Sequence, residues 1–449
     1  MSSQQDQRID ILKNILLDLH NGVAPEAVQA QFNQHFKGVS ALEISLMEHQ
    51  LMNAETGITF EDVMKLCNVH ANLFKSSIDD INGVHSDLPG HPVRVFKDEN
   101  LALQAALIRI QRLLDTLKQT DSTHIEAGLL KGFLHQVEIL GQFDNHYTRK
   151  EKLFFPHMER YGHVAPPKVM WGVDDNIRDL YADFVGKAKS LPEIAIDDLQ
   201  ASFDRFQHEF KEMIFKEESI LINILLEVLT EDDWLAIANE SDAYGYTIIS
   251  KPEAWIPERH DFQAVDLPET QSDVSLDNSQ YITVNGGKLK VDFIPDGPTD
   301  GIQSRDQMIE FKNAGTLSLN QIELIMNHLP LEVTFVNKND IFQYFNQVDA
   351  YEEMIFPRTP SQIGRHIELC HPPKIWNKVS ALIEDLRHGR RESESLWFKM
   401  RGKFVFVTYR AVRDDEGIFQ GILETVQDIQ PFFELESDHN RTISELPKK

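Results

Sequence analysis

The sequence is poor in cysteine and contains no long apolar run. Its only two cysteines are Cys67 and Cys370, which excludes a disulfide scaffold and a thiolate metal site and favours a reducing compartment. No apolar stretch approaches the roughly 18–20 residues needed to span a bilayer. The polar N-terminus lacks the apolar core of a signal peptide. We therefore expect a cytoplasmic protein.

Basic residues are also scarce, with 44 lysines and arginines against 71 aspartates and glutamates, for a formal net charge of −27. Nucleic acids and anionic membranes attract clustered positive charge, so neither is an expected partner. Hydrophobic residues make up 41% of the 449 positions, which suits two or three domains with cores of their own. Because no kinase, cyclase, nuclease or phosphate-loop signature occurs, the sequence favours a sensor over an enzyme.

Composition and periodicity divide the chain into five regions. Residues 1–80 carry short amphipathic helical patterns, and residues 85–245 carry longer ones. Residues 246–315 are rich in Pro, Gly, Asp and Ser, which predicts an acidic linker with room for one short hairpin. Residues 316–435 alternate strand and helix patterns, which predicts an α+β domain with an antiparallel sheet. A polar tail follows at residues 436–449.

The second region predicts a four-helix bundle with up-down-up-down topology, because its connections are short. Proline at the first position gives the first helix a well-defined start. The helices are expected over Pro92–Leu117, His124–His157 (with a break near Asn145), Lys168–Ser190 and Asp197–Val228.

Heights along the bundle predict which side chains meet. Each helix rises about 1.5 Å per residue and antiparallel neighbours mirror about their loop, so the height of His91 recurs near residues 152, 174 and 212. Ionisable groups occupy that height on all four helices: His91, His146, Glu151, Asp174, Asp175, His208, Glu212 and Glu217. Their joint burial would be costly unless they were paired or bound a metal. This layer predicts a metal site for iron, manganese or zinc, with solvent exposure of several members as the alternative.

Two five-residue intervals complicate this geometry. His146 and Glu151 are five apart, as are Glu212 and Glu217, and an ideal helix turns such a pair about 140° apart. A π-bulge would restore the common direction. Otherwise Tyr147 faces the site instead. The site is then carboxylate-rich, mononuclear or lost.

Several motifs resemble the hemerythrin-like, HHE cation-binding family. They are Gly90-His91-Pro92-Val93 with Glu99-Asn100, the run His146–Glu151 leading to Phe155-Pro156, Trp171–Arg178, and Lys216–Leu221. The resemblance implies a non-haem di-iron centre that binds or senses oxygen, nitric oxide or peroxide. The chain departs from the family pattern at Asp174, where a histidine is common.

The regions on either side resemble two other families. The first 80 residues resemble an uncharacterised helical domain that precedes hemerythrin-like domains, through the stretch Lys65–Ala71. Cys67 and His70 are one turn apart; they are interpreted as a buried structural pair, with metal binding or oxidation sensing as the alternative. The C-terminal region resembles a PAS sensor domain, through Leu329-Pro330, Ile363-Gly364-Arg365, Cys370–Pro373, Gly389-Arg390 and Gly421–Asp428. That resemblance implies a cofactor or ligand pocket of unknown occupant and a homodimer. His371 is a candidate axial ligand should the occupant be haem.

Two sensor-type modules without an output catalyst favour a cytoplasmic sensor. In this hypothesis a non-haem iron bundle responds to a diatomic ligand or an oxidant, and the PAS domain relays the response. A metal-dependent enzyme that detoxifies peroxide or nitric oxide, or repairs iron sites, is the first alternative. A metal-free assembly scaffold is the second.

Overall fold

The structure is a computed structural model that describes parts of residues 11–36 and residues 86–120, 125–257, 279–284, 287–292, 305–312, 314–348 and 353–435. It forms two compact units. One consists of Met1–Ile256 with Leu331–Lys449, and the other of Pro257–Pro330. Most of the helical pattern predicted in residues 1–80, the Cys67 and His70 pair, and the polar tail lie outside the described residues.

The first unit contains the predicted antiparallel bundle. The helices described in residues 11–257 are α1 (Pro25–Phe36), which precedes the bundle region, and then α2 (Pro92–Gln119), α3 (Ala127–Leu140), α4 (Phe143–Arg149), α5 (Phe155–Arg160), α6 (Ala165–Lys189), α7 (Ile196–Lys216), α8 (Ile222–Val228) and α9 (Glu231–Glu240). The expected break in the second bundle helix falls between α3 and α4, at Gly141. A π-helical turn at Lys150–Phe154 joins α4 to α5, and another at Glu217–Leu221 joins α7 to α8.

The bundle core follows the helical period. On α2 the buried residues Leu103, Leu107, Ile110, Leu114 and Leu117 are spaced by three or four and therefore share one face. The centre is filled by aromatic rings, among them Phe133, Phe143, Phe184, Phe203, Phe206 and Phe210. The helices keep a polar outer face. In the described part of the chain, none is both long and apolar enough to cross a membrane.

The first unit also contains a five-stranded antiparallel sheet of order β6-β5-β9-β8-β7. Its strands are β5 (Glu332–Asn337), β6 (Phe342–Phe345), β7 (Ser393–Met400), β8 (Lys403–Arg413) and β9 (Phe419–Asp428). Helix α11 (Pro373–Arg387) packs Ile383 and Leu386 against Ile422 of β9. These elements confirm the predicted α+β region with its antiparallel sheet.

In its described residues the second unit holds two hairpins and one helix. Strands β1 (Ser279–Val284) and β2 (Gly287–Asp292) pair antiparallel, within the region where the sequence predicted a short hairpin. Strands β3 (Met308–Phe311) and β4 (Gly315–Ser318) form the second hairpin. Helix α10 (Leu319–Asn327) then begins with a capping box.

Gly90 controls the start of α2. Its φ is +78°, and a Cβ there would lie 2.2 Å from the carbonyl oxygen of Glu253. We expect Gly90→Ala to lower the free energy of unfolding by about 1–3 kcal/mol, since both the backbone angle and the contact with Glu253 disfavour a side chain. Urea titration of the full chain measures this loss.

Gly132 in α3 provides the matched control, because a Cβ there meets no atom within 4 Å. Gly132→Ala should stabilise the protein by about 0.5–1 kcal/mol, as alanine favours helix. A Gly90→Ala variant as stable as Gly132→Ala would contradict the packing described for the start of α2.

Candidate functional site

Two π-helical turns place charged side chains inside the bundle. A π-turn inserts one extra residue into the helical repeat and so redirects the side chains that follow it. The first turn, Lys150–Phe154, begins with Lys150 and Glu151. The second turn, Glu217–Leu221, begins with Glu217. The sequence intervals of five residues had suggested such bulges, and the structure confirms them in both helices. Together they create a buried group that we call the polar layer: Glu99, His146, Lys150, Asp174 and Glu217.

His146 lies at the centre of this layer and is fully buried. Its Nδ1 lies 2.7 Å from Glu99 Oε2 and its Nε2 lies 3.4 Å from Glu217 Oε2, while its ring stacks on Phe96. Burial alone would lower the pKa of His146, but the two glutamates outweigh it and raise that pKa. The two carboxylates therefore favour the charged form of the imidazole.

Glu99 has further partners that keep it ionised. Arg149 donates to its Oε2, and the backbone N–H of Thr247 donates to Oε1 over 2.8 Å. Burial would raise the pKa of Glu99, yet Arg149 and His146 together lower it to about 2. Arg149 is itself anchored through Nη1 to the carbonyl oxygen of Gly245, 2.7 Å away.

Lys150 supplies the positive charge on the other side of His146. Its ammonium donates to Glu217 Oε1 over 2.5 Å and to Asp174 Oδ1 over 2.8 Å, and it lies 4.1 Å from the centre of the Tyr147 ring. All of these side chains are fully or nearly fully buried. Burial opposes ionisation of Glu217, but Lys150 and His146 lower its pKa to about 2. The Lys150 ammonium therefore lies between the carboxylates of Asp174 and Glu217 and supplies the positive charge that their burial requires.

Two polar atoms next to Lys150 are left over. Asp174 Oδ2 and the Tyr147 hydroxyl are buried and have no hydrogen-bond partner in the part of the chain that the structure describes. Burial raises the pKa of Asp174 well above its usual range, and Lys150 offsets this only in part. Tyr147 therefore does face the site, together with Asp174.

Glu151 and Asp175 belong to a neighbouring ion network, centred on Arg178. Arg178 Nη1 lies 2.7 Å from Glu151 Oε1 and 3.3 Å from Asp175 Oδ1, and Nε lies 2.7 Å from Asp144. Asp175 also lies 3.8 Å from Lys374 of α11. Of the two adjacent aspartates, Asp174 therefore enters the polar layer, whereas Asp175 points towards the sheet side of the unit.

The remaining predicted residues lie elsewhere. His91 caps α2, with its Nδ1 accepting from the backbone N–H of Val93, and its ring packs on Trp234 and Trp255. His208 is exposed and lies 4.0 Å from Glu209. Glu212 is partly buried on α7. These residues lie at a similar height along the bundle, but their side chains do not point into the polar layer.

Glu99, Arg149, Lys150 and Arg178 were not among the site residues predicted from the sequence. A signal existed for two of them, because Arg149 and Lys150 stand between the expected ligands His146 and Glu151. In the structure Arg149 and Lys150 are both buried, at 2% and 0% exposed.

The polar layer suits a cation by donor type but not by its present arrangement. Among the described residues, no group of three or more His, Cys, Asp or Glu side chains is placed to hold a metal ion. Lys150 separates Asp174 from Glu217, and a single histidine reaches the layer. One imidazole and two carboxylates do match the preferences of non-haem iron or manganese, and Asp174 Oδ2 is an unused acceptor. His146, Asp174 and Glu217 would hold one metal ion if Lys150 withdrew. A two-metal centre does not fit.

The bundle contacts the sheet side of the unit through Arg365. Its Nε and Nη2 donate to the two carboxylate oxygens of Glu159 over 2.6 and 2.7 Å, and its Nη1 lies 3.4 Å from the carbonyl oxygen of Glu151. Lys168 pairs with Glu368 over 2.6 Å at the same contact. The Glu151 carbonyl belongs to the π-turn that carries Lys150, so one turn contacts both the polar layer and the sheet side.

A cavity of about 410 Å³ lies within the sheet side, between α11 and strands β5, β8 and β9. Its wall includes Lys152 from the same π-turn, together with Cys370 and His371. His371 donates through its Nδ1–H to the carbonyl oxygen of Ile367, 2.9 Å away, and burial lowers its pKa. Burial and the nearby Arg365 and Arg358 lower the pKa of Lys152 to about 8.

Three family models match successive parts of the chain. Residues 12–80 match a family of unknown function (DUF438), residues 91–225 match the hemerythrin HHE cation binding domain, and residues 322–430 match a PAS domain. The order of domains predicted from the motifs is therefore confirmed. The hemerythrin and PAS matches together support a metal-binding signalling protein. No curated protein matches the sequence.

Three solved structures are similar to about a quarter to a third of the chain. A C-terminal domain from Streptococcus mutans is 58% identical over 30% of this chain and all of its own length, with a TM-score of 0.29. A PAS domain from Colwellia psychrerythraea is 12% identical and covers 25% of this chain and 98% of its own, with a TM-score of 0.21. A sensory box sensor histidine kinase from Vibrio cholerae is 13% identical, covers 24% and 88%, and has a TM-score of 0.18.

Proposed function

We propose that this protein, built from a hemerythrin bundle and a PAS domain, is a sensor in which one non-haem iron ion competes with the Lys150 ammonium for the polar layer. The bundle would respond to oxygen, nitric oxide or redox state, and the PAS domain would relay the response. The observation that carries the proposal is the position of Lys150, buried between Asp174 and Glu217 beside His146.

Electrostatics supports an exchange of cations at this place. Glu99 and Glu217 are both held ionised, with a pKa of about 2 each, so the layer requires positive charge whether or not a metal is present. A buried carboxylate left without a counter-charge is strongly destabilising. Lys150 meets that requirement in the described state, and Asp174 Oδ2 and the Tyr147 hydroxyl remain as additional polar atoms.

Bound iron(II) with one histidine and carboxylate ligands would supply an open coordination position for a diatomic molecule. The residues of this chain would do the rest. His146, Asp174 and Glu217 would hold the ion, and Glu99 would orient His146 through the 2.7 Å contact at Nδ1.

The contact between the π-turn and Arg365 supports the relay. Lys150, Glu151 and Lys152 are consecutive residues of one turn, and they contact the polar layer, Arg178 and the PAS cavity respectively. Withdrawal of Lys150 would therefore move a turn whose other side chains contact the PAS domain. Arg365, which reaches the Glu151 carbonyl and Glu159, is the direct receiver.

Anaerobic iron titration of the full chain tests the proposal. We expect about one iron per chain after desalting and a rise in melting temperature, because a ligand that binds only the native state stabilises it. Asp174→Asn should weaken iron binding by about tenfold or more, since it removes a donor. Asp198→Asn, at an exposed position of α7, is the matched control and should bind like the wild type.

Two results would contradict the proposal. Iron bound equally by Asp174→Asn would place the metal elsewhere in the chain. A wild type that binds no iron and melts at the same temperature with iron(II) and with chelator would favour a second candidate function: a metal-free bundle with Lys150 as its permanent internal cation, coupled to the PAS domain. The pairing of the Lys150 ammonium with both Asp174 and Glu217 is the observation that favours this alternative.

A further inference from the structure

The cavity of the PAS domain is apolar over most of its wall. Its volume is about 410 Å³, within the range of small-molecule sites. The wall is formed by aliphatic and aromatic side chains of the sheet and of α11, among them Val336, Phe342, Ile367, Leu382, Ile383 and Ile422. Such a wall favours a ligand with an apolar body.

The charged groups of the wall do not balance. Lys152, Arg358 and Lys378 line the cavity, against the single carboxylate of Glu424. Arg358 lies 3.4 Å from Glu424 and forms an ion pair with it, so the two charges largely compensate each other. Tyr409 also hydrogen-bonds to Glu424. The lining thus carries surplus positive charge.

Lys152 is the clearest part of that surplus. Its ammonium lies 4.8 Å from the centre of the Trp171 ring, and among the described residues it forms no salt bridge. The cations Arg358 and Arg365 lie close enough to oppose its charge. Arg365 is already neutralised by Glu159. Lys152 and Lys378 are then the two cations of the lining that form no salt bridge among the described residues, and of these Lys378 is exposed whereas Lys152 is partly buried. A partly buried ammonium of this kind is stabilised by an anion.

We propose that the cavity binds a small monocarboxylate with an apolar body, and that Lys152 of the bundle holds its carboxylate. The ligand would then lie between the two modules: its apolar part within the PAS domain and its charged end on a residue of the hemerythrin π-turn. This site is separate from the polar layer, and the proposal holds with or without a metal in the bundle.

Calorimetric titration of the full-length protein with decanoate and with decanol tests the proposal. The two probes share an apolar chain and differ in charge, so the ratio of their affinities isolates the carboxylate. We expect saturable binding of decanoate, with a dissociation constant at least about tenfold lower than that of decanol, because the ammonium forms a charge-assisted hydrogen bond only with the acid.

Four variants assign the binding to the cavity. Lys152→Met should abolish the preference for decanoate but leave decanol binding unchanged, and Lys152→Arg should retain the preference. Lys168→Met, which breaks the ion pair with Glu368 at the same contact but does not line the cavity, should retain it as well. Leu382→Trp should fill the apolar part and abolish binding of both probes.

The proposal is overturned by any of three results: no saturable binding of decanoate by the wild type, equal affinity for decanoate and decanol, or an unchanged preference in Lys152→Met. Far-ultraviolet circular dichroism and the melting temperature of each variant show whether it is folded. If Lys152→Met fails to fold, binding of the two probes to Lys152→Arg and Leu382→Trp still tests the site. Binding of decanoate that is retained in Leu382→Trp would contradict the assignment to this cavity.

Discussion

Lys150→Met is expected to lower the free energy of unfolding by about 3–5 kcal/mol. The substitution removes the ammonium and leaves the ionised Glu217 buried with His146 alone as its counter-charge, which is the costly way to break a buried ion pair. The volume of the side chain is nearly kept, so the loss reports charge rather than a cavity. Urea denaturation of the metal-free protein measures it.

The control for this prediction is Lys131→Met on the exposed face of α3, which should change stability by less than about 0.5 kcal/mol. Lys150→Met combined with Glu217→Gln should be more stable than Lys150→Met alone, because the unpaired carboxylate is also removed. A Lys150→Met protein as stable as the control would show that the ammonium does not neutralise the polar layer.

The second large effect is expected at Arg365, where the bundle meets the PAS domain. Arg365→Met should cost about 3–5 kcal/mol in the stability of the contact, because Glu159 would be left buried without its bidentate partner. In calorimetry, we expect a single thermal transition of the wild type to separate into two, since the bundle and the sheet would then unfold independently.

Arg391→Met is the matched control, because Arg391 forms its ion pairs with Asp385 and Glu394 on the exposed side of the sheet. Exposed pairs contribute little, so one transition should remain. Combining Arg365→Met with Glu159→Gln should recover part of the loss. An Arg365→Met protein that still unfolds in one transition at the wild-type temperature would contradict the coupling of the two modules.

Periodicity was sufficient to predict the folds. The three- and four-residue spacing of Leu103, Leu107, Ile110 and Leu114 marks one buried helix face, and this pattern depends on local geometry alone. Alternation likewise predicted the paired strands, because side chains alternate across a sheet. Sequence motifs then identified the hemerythrin and PAS domains without the structure.

The site was predicted only in part, for two physical reasons. Reflection about loops gives height along the bundle, and it placed His146, Asp174 and Glu217 correctly in one layer, but it gives no direction around the helix. His91 therefore has the right height and yet serves as the cap of α2. The second reason is that the π-turn directs the Lys150 side chain into the bundle. Lysine is usually exposed, and its burial here depends on an ion pair with Glu217, which is distant in sequence.

The buried lysine also has a consequence for the folding of newly synthesised protein. Small metal sites commonly remain unfolded until the ion arrives, so the supply of metal determines how much native protein a cell contains. A bundle that brings its own ammonium to Asp174 and Glu217 can complete its core directly after synthesis. The amount of folded protein would then be independent of the supply of iron in the cell. Any later change of cation would act on molecules that are already assembled, as a signal requires.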